Sequence, residues 1–301
     1  MGQTTVSARR ASAENDATLL SVIVPVYNEV RTIFELLARV CAAPYAKQVI
    51  VVDDGSNDGT AEALLRWRDQ PEVELLRHAG NRGKSAAIRT ALRQARGRFT
   101  IIQDADLEYD PADYPLLIEP LVAGTAEVVY GSRYMSAGTA LAGTQPEDRL
   151  KAGLRTENRL KAGLRPPRWG VCRCGVGALN LVVRILYGAR LTDEATCYKA
   201  FPTDVLRRMD LVCEGFEFCP EATAKALRMG LHILEVPIHY DARTVRAGKK
   251  LRWTDGLAAI AALWKWRKWR PVQRGANPCA EKLNSGQALT RDAGDAVGGE
   301  K

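Results

Sequence analysis

Closely spaced carboxylates follow an apolar run in the first half of the chain. Phe99 to Ile102 has the pattern of a buried strand, and Asp104, Asp106 and Glu108 come directly after it. Carboxylates this close repel one another unless a cation lies between them. Oxygen ligands suit a hard divalent ion that also holds a phosphate. The stretch therefore predicts a Mg²⁺ or Mn²⁺ site, with a solvated acidic strand end as the simpler alternative.

Two other apolar runs also end in polar side chains. Residues 49–52 lead into Asp53, and residues 21–26 lead into Asn28 and Glu29. Open α/β proteins bind ligands at the carboxyl edge of the sheet, where such strand ends meet. We therefore expect the three strand ends to form one cleft. Asp53 is placed to accept hydrogen bonds from a base or a ribose, with a turn or helix-capping role as the alternative.

The segments between these runs have helical or strand periodicity. Apolar residues recur on one helix face in 30–41, and a turn at 55–59 precedes a helix that ends near Arg68. We predict further helices at 84–96, 113–122 and 176–187, and further strands at 73–76 and 127–130. This alternation predicts an α/β fold with a largely parallel sheet and helices on both of its faces.

The chain of 301 residues is long enough for one large domain. We predict a domain over 19–253 that is interrupted by a mobile insert at 136–168. A flexible lead at 1–18 precedes this domain, and a basic, aromatic helix at 254–270 follows it. The polar, Gly-rich residues 271–301 are expected to be a disordered tail.

Charge and composition narrow the choice of partners. The net charge of +8 favours anionic partners such as nucleotides, phospholipid surfaces or nucleic acid. Because the basic residues are dispersed and no reading module is present, we exclude nucleic acid. The seven cysteines form neither a disulfide framework nor a zinc motif, which indicates reduced thiols in a cytosolic protein. We find no secretory signal and no apolar segment of the roughly 20 residues that span a bilayer. The sequence identifies no protein partner.

Two familiar phosphate-binding patterns do not fit. Only two residues separate Gly80 from Gly83-Lys84, whereas a phosphate-binding loop has four at that place. A dinucleotide fingerprint after the first strand is missing as well. The three histidines, His78, His232 and His239, are scattered, and we assign no chemistry to them.

Basic residues cluster near the end of the predicted domain. Arg243, Lys249 and Lys250 could close on a diphosphate and offset its charge, with a solvated basic loop as the alternative. Downstream, Trp264, Trp266 and Trp269 alternate with Lys265, Arg267, Lys268 and Arg270. Such a segment suits a bilayer interface, but a helix docked on its own domain explains it equally well.

A tandem repeat lies inside the predicted insert. Residues 149–155 are repeated almost unchanged at 159–165. Two copies do not make a solenoid, so we interpret them as a local duplication in a mobile basic loop. A lid that faces a membrane or gates an acceptor is the alternative.

The motifs together resemble family 2 glycosyltransferases of the GT-A fold. In the first half the matching stretches are Val24 to Glu29, Val52 to Ser56, Asp104 to Asp106, and Gly131 to Arg133. The second half resembles the dolichol-phosphate mannosyltransferase branch in Leu191 to Asp193, Thr196 to Phe201, Gly215 to Glu221, Glu235 to Ile238, and Arg243 through Lys250. Ser85 replaces a glycine that is usual in the family, and the transmembrane segments of some members are missing.

The resemblance implies one Rossmann-like domain that binds a nucleotide sugar, and it gives roles to the matching residues. The nucleotide pocket would be lined by Pro25, Tyr27, Glu29, Val51, Asp53, Asp104 and Ala105. Asp104, Asp106 and Glu108 would hold the metal and, through it, the diphosphate. Arg133, Arg243 and Lys249 would contact phosphates of the donor or the acceptor.

The implied activity is a metal-dependent, inverting hexosyl transfer. Mannose or glucose would pass from a GDP- or UDP-sugar to a polyprenyl or dolichyl phosphate, by a cytoplasmic enzyme that either stays in solution or binds the membrane face. An acceptor phosphate is already anionic at pH 7, whereas a soluble hydroxyl acceptor, the alternative, would need a base such as Glu217. A nucleotide-binding protein without turnover is a third alternative.

Overall fold

The computed structural model alternates strands and helices along its first half, as the sequence predicts. It describes residues 19–135, 170–243 and 253–271, all within one compact unit. The predicted insert with its repeat, Lys249 and Lys250, and the predicted lead and most of the predicted tail lie outside the described residues.

The described part of the first half contains five strands and four α-helices. In chain order they are β1 (Leu20–Val26), α1 (Ile33–Ala42), β2 (Lys47–Asp53), α2 (Thr60–Leu64), β3 (Val73–Arg77), α3 (Lys84–Gln94), β4 (Phe99–Ile102), α4 (Tyr114–Val122) and β5 (Val128–Ser132). Short 3₁₀ helices extend α2 over Leu65–Trp67 and precede α4 over Pro111–Asp113. The predicted elements exist here with shifts of a few residues at their ends.

The described part of the second half has two strands and four helices. They are α5 (Gly170–Tyr187), β6 (Lys199–Pro202), α6 (Thr203–Arg208), α7 (Phe218–Arg228), β7 (Ile233–Pro237) and α8 (Trp253–Trp266). Helix α5 begins six residues earlier than predicted. Sequence periodicity does not predict β6, α6, α7 or β7.

The seven strands of residues 19–243 that the structure describes form one sheet in the order β3-β2-β1-β4-β6-β5-β7. Strands β1 to β4 are parallel to one another, and β5 is parallel to β7. Only β6, inserted between β4 and β5, runs antiparallel to both within the described sheet. The predicted α/β class with a mostly parallel sheet is therefore confirmed.

Buried strands and one helix face form the core beneath the carboxyl edge. Strands β1, β2 and β4 are buried along almost their whole length, as expected for parallel strands covered on both faces. Helix α1 packs on the sheet through Ile33, Leu36, Leu37 and Val40, the face that the periodicity predicts. This packing fixes where the three strand ends lie.

Helix α8 docks by one face on α5 and α7. Leu263 is fully buried in a small cluster with Leu179 and Val183 of α5. The ammonium group of Lys225 lies 3.9 Å from the ring centroid of Trp266. At least part of the basic, aromatic segment is therefore a structural element of the domain.

Candidate active site at the carboxyl edge of the sheet

The carboxyl ends of β1, β2 and β4 lie next to one another, as the sequence predicts. Strand β1 is hydrogen-bonded to β2 on one side and to β4 on the other, in parallel register. Asn28 and Glu29 thus share this edge with Asp53 and with the acidic stretch from Asp104. Asn28 links two strand ends, since its carboxamide oxygen accepts a hydrogen bond from the Asn57 backbone at 2.9 Å.

Asp104 is paired with a lysine that the sequence analysis considered only as part of a rejected phosphate loop. The Lys84 ammonium lies 2.5 Å from Asp104 Oδ1, and both side chains are about four-fifths buried. The same ammonium lies 3.4 Å from Cys197 Sγ. Burial alone would lower the pKa of Lys84, but the charge of Asp104, its hydrogen bond and the neighbouring thiols together outweigh burial and raise this pKa well above its usual range. Lys84 therefore stays cationic at this edge.

Asp106 has more negative charge around it than the chain neutralises. Burial, followed by the charges of Asp104 and Glu108, raises the pKa of Asp106 to about 7, and Arg243 opposes this only in part. The Arg243 guanidinium lies 3.3 Å from Asp106 Oδ2. It also donates two hydrogen bonds of 3.0 Å to Glu29. Arg243 thus bridges the ends of β1 and β4.

Glu108 uses both of its oxygens within the protein. The Tyr240 hydroxyl donates to Oε2, and the Arg243 backbone N–H donates to Oε1 at 2.8 Å. Leu107, just before it, has a φ of 62°, which is rare for a bulky residue. Glu108 anchors the 240–243 segment here, and a metal-ligand role for it stays a prediction.

Asp104 and Asp106 suit a divalent cation as a partial ligand set. Both side chains keep about a fifth of their surface exposed, and the raised pKa of Asp106 shows that added positive charge would be favourable there. In 19–135, 170–243 and 253–271, no group of three or more His, Cys, Asp or Glu side chains could hold a metal ion. Mg²⁺ is commonly held by one or two carboxylates together with substrate phosphates. The pair therefore fits a metal that arrives with a diphosphate.

The predicted nucleotide pocket is only partly open to solvent. Asp53 is 2% exposed, accepts a hydrogen bond from the Ser56 backbone at 2.9 Å and lies 3.2 Å from Arg77 Nε. Pro25 and Tyr27 are half-buried near the end of β1, whereas Val51 and Ala105 are buried. The carbonyl of Ala105 accepts a hydrogen bond from the Thr32 hydroxyl at 2.7 Å. Ligand contacts for these residues stay predictions.

The loop before α3 uses its backbone N–H groups internally. Asp54 accepts hydrogen bonds from the backbones of Arg82 and Gly83 and pairs with His78 Nδ1 at 2.6 Å. The Ser85 N–H donates to the Gly215 carbonyl at 2.9 Å. These groups are therefore not free to cradle a phosphate, in agreement with the rejected loop pattern.

Arg133 is held in a buried ion pair. Its guanidinium donates to both oxygens of Asp193 at 2.7 Å, and the Arg133 backbone N–H donates to the same carboxylate at 3.0 Å. Glu235 in turn accepts the backbone N–H groups of Thr192 and Asp193. Arg133 also lies over the ring of Tyr240, 5.0 Å from its centroid. The phosphate contact predicted for Arg133 would require its guanidinium to bind a phosphate while it stays bonded to Asp193.

The fold and the acidic edge together define a GT-A glycosyltransferase. A model of the family described as Glycosyl transferase family 2 matches residues 21–175, about half of the chain. The chain belongs to this family, which confirms the resemblance stated above.

Relatives and solved structures agree with this assignment. Undecaprenyl-phosphate mannosyltransferase of Micrococcus luteus is 30% identical over 235 residues, which cover 75% of this chain and 85% of the relative. Polyprenol monophosphomannose synthase of Mycolicibacterium smegmatis is 27% identical over 256 residues, covering 82% and 85%. Glucosyl-3-phosphoglycerate synthase of Mycobacterium tuberculosis, solved with Mn²⁺, UDP and phosphoglyceric acid, has a TM-score of 0.59 at 17% identity, covering 88% of this chain and 84% of that one. This last likeness concerns the fold.

Proposed function

We propose that this glycosyltransferase moves a hexose, with mannose as the first candidate, from a nucleotide sugar to a polyprenyl phosphate. The observation that carries the proposal is the pairing of acids and cations at one sheet edge. Asp104 and Asp106 lie beside Lys84 and Arg243, within 3.3 Å of them. Such an edge suits a ligand that combines negative and positive charge. A nucleoside diphosphate with its bound metal ion is a ligand of this kind.

The acceptor is proposed from the relatives and from the chemistry. The name of the Micrococcus luteus relative gives undecaprenyl phosphate as its acceptor. The name of the Mycolicibacterium smegmatis relative gives polyprenol monophosphomannose as its product. A phosphate oxygen is anionic at neutral pH and can attack without losing a proton, so no strong general base is required. In this proposal Glu217 has no catalytic role.

Asp104 and Asp106 would hold a divalent metal, Mg²⁺ or Mn²⁺. A bound metal would supply positive charge to the diphosphate as it leaves. The chain contributes Lys84 and Arg243 to the same purpose, because both are cationic and both already contact these carboxylates. Arg243 could transfer its hydrogen bonds from Glu29 to a phosphate without leaving the edge.

A membrane-facing surface would bring the enzyme to a lipid acceptor. Within the described chain no helix is long and apolar enough to cross a membrane. Two helices that pack together nevertheless keep apolar pairs in solvent, namely Leu181 and Ile185 of α5, and Leu257 and Trp264 of α8. The exposed end of α8 is basic, and Arg267 lies over the ring of Trp264 at 3.9 Å. We propose that this surface binds an anionic lipid interface.

A panel of donors and acceptors tests the transferase proposal. We expect sugar transfer to a polyprenyl phosphate from GDP-mannose, or from a UDP-hexose if the base is uracil, only when Mg²⁺ or Mn²⁺ is present. Asp106→Asn should remove this transfer, while Asp204→Asn on the exposed surface of α6 is the matched control. Transfer to soluble hydroxyl acceptors in place of polyprenyl phosphate would refute the acceptor assignment. Glu217 would then be the candidate general base for the hydroxyl.

Vesicle binding tests the lipid surface separately. Leu257→Glu should weaken sedimentation with vesicles that contain phosphatidylglycerol. Leu65→Glu is the control, because Leu65 has nearly the same exposure, 57% against 58% for Leu257, but lies in the 3₁₀ helix after α2. Equal effects of the two variants, or no binding by the unmodified protein, would contradict this surface.

A further inference from the structure

The segment after β7 carries two side chains into the candidate site without forming a helix or a paired strand of its own. Tyr240 reaches Glu108, and Arg243 reaches Glu29 and Asp106. The backbone of this segment makes an isolated bridge between Tyr240 and Tyr109, and the Ile238 N–H donates to the Ser132 carbonyl at 3.2 Å. Its position therefore depends on side-chain anchors as well as on these few backbone bonds.

His239 provides one such anchor, through Asp113. The Asp113 carboxylate accepts the His239 backbone N–H at 2.6 Å with one oxygen and contacts His239 Nδ1 at 2.8 Å with the other. Asp113 is almost fully buried, with a side-chain exposure of 4%, whereas the His239 ring is 34% exposed. An ionised carboxylate in this position requires a proton on Nδ1.

Asp113 lies where the 3₁₀ turn of Pro111–Asp113 runs into α4, and its side chain does not cap the helix. The cap of this turn is Asp110, whose side chain accepts the Ala112 N–H at 3.0 Å. Both oxygens of Asp113 hold His239, 126 residues away in the sequence. A buried carboxylate that uses both of its oxygens on a distant segment holds that segment in place.

The second anchor lies only a few residues away on the same stretch of chain as Asp113. Glu108 accepts the Tyr240 hydroxyl and the Arg243 N–H, and its carbonyl accepts the Asp241 N–H at 2.9 Å. Asp113 holds the start of the segment at His239, and Glu108 holds the part from Tyr240 to Arg243. Loss of the first anchor would let the guanidinium move relative to Asp106.

We propose that Asp113 and His239 are a positioning pair that sets the Tyr240–Arg243 segment over the carboxylate edge. The proposal rests on the proposed function, because it assigns to Arg243 the stabilisation of the leaving diphosphate. Neither member of the pair needs to touch the substrate. Outer partners of this kind typically contribute factors of about 10 to 100 in activity.

Three histidine variants test the pair. His239→Ala should lower kcat about 10- to 100-fold while the donor KM changes little, because charge stabilisation in the transition state is what is lost. His239→Asn should recover most of this loss, since its amide nitrogen can donate to Asp113 in place of Nδ1. His232→Ala, which alters an exposed histidine just before β7, should have no effect.

Amide hydrogen exchange provides a readout that does not depend on any substrate. In His239→Ala we expect the Asp241 and Arg243 amides to exchange at least about 10-fold faster than in the unmodified protein. In His239→Asn we expect their exchange rates to return to those of the unmodified protein. If the unmodified enzyme transfers no sugar to polyprenyl phosphate, the proposed function fails but this readout still tests the pair. Unchanged exchange in His239→Ala would overturn the proposal. Loss of activity in His239→Asn equal to that in His239→Ala would also overturn it, because the imidazole itself would then be required.

Discussion

The buried pair of Arg133 and Asp193 gives the most quantitative prediction. Asp193 is fully buried, the Arg133 side chain is 13% exposed, and two hydrogen bonds of 2.7 Å join them. Asp193→Asn preserves the shape of the side chain but removes its charge. The variant leaves the guanidinium largely desolvated without a counter-ion.

The size of the effect follows from these contacts. Breaking one side of a buried ion pair costs about 3–5 kcal/mol. We expect the lower end, about 3 kcal/mol, because Arg133 keeps its contact with the Tyr240 ring and the asparagine oxygen still accepts one bond. For a domain of this size each kcal/mol lowers Tm by about 2–4 °C, so Tm should fall by about 6–12 °C.

Urea unfolding measures this prediction, with Asp204→Asn as the matched control. Asp204 pairs with Arg208 at 3.3 Å, but their side chains are 70% and 59% exposed, so screening should keep its effect below about 0.5 kcal/mol. If Asp193→Asn and Asp204→Asn unfold at the same urea concentration, the reasoning about the buried pair is wrong.

Three further predictions concern the loop before α3, a buried glutamate and metal binding. Gly83→Ala should destabilise the protein by more than about 2 kcal/mol in urea unfolding, because φ is +95° and a Cβ would lie 2.3 Å from the Glu214 carbonyl oxygen. Burial would raise the pKa of Glu221, but its hydrogen bonds, with Lys225 foremost, outweigh this and lower it. The ionised Glu221 therefore stabilises the fold at pH values above its unfolded pKa near 4.5, and this stabilisation is lost as pH falls through the lower folded pKa. Glu221→Gln should consequently be less stable than the unmodified protein at pH 7, and the difference in stability should shrink below pH 4.5. Because the pKa of Asp106 is raised to about 7, protons compete with Mn²⁺ for this carboxylate below pH 7. Mn²⁺ affinity, measured by calorimetry with nucleotide present, should therefore fall by up to about tenfold per pH unit below 7. An affinity that does not change with pH would contradict this prediction.

The first half of the fold was predictable because local pattern and tertiary environment agree there. Strand β4 is a plain apolar run, and its acidic continuation identifies the sheet edge without any knowledge of contacts. Helix α1 shows one apolar face, and this is the face that the structure buries. In such elements periodicity and burial carry the same information.

The unpredicted elements bury residues that a sequence pattern assigns to the surface. Strand β6 begins with Lys199, which is fully buried with its ammonium 3.7 Å from the centroid of the Tyr130 ring. Helix α7 buries both Glu221 and Lys225 as an ion pair of 2.6 Å. Neither pairing leaves a signal in local hydropathy.

Long-range contacts explain which site residues the sequence analysis missed. Lys84 was visible in its Gly-Lys motif but was considered only as a phosphate-loop residue, and its contact with Asp104 depends on how α3 packs. His239 was assigned no chemistry because its partner, Asp113, is distant in sequence. Such pairs become visible only once the segment after β7 is placed over the edge.

The most direct test of the central claim is the product formed from GDP-mannose and a polyprenyl phosphate in the presence of Mn²⁺. Mass spectrometry should detect a mannosyl phosphodiester of the lipid, and NMR should show inversion of the anomeric centre, from an α-linked donor to a β-linked product. Asp106→Asn should form none. A product with retained configuration, or undiminished product from Asp106→Asn, would contradict the account.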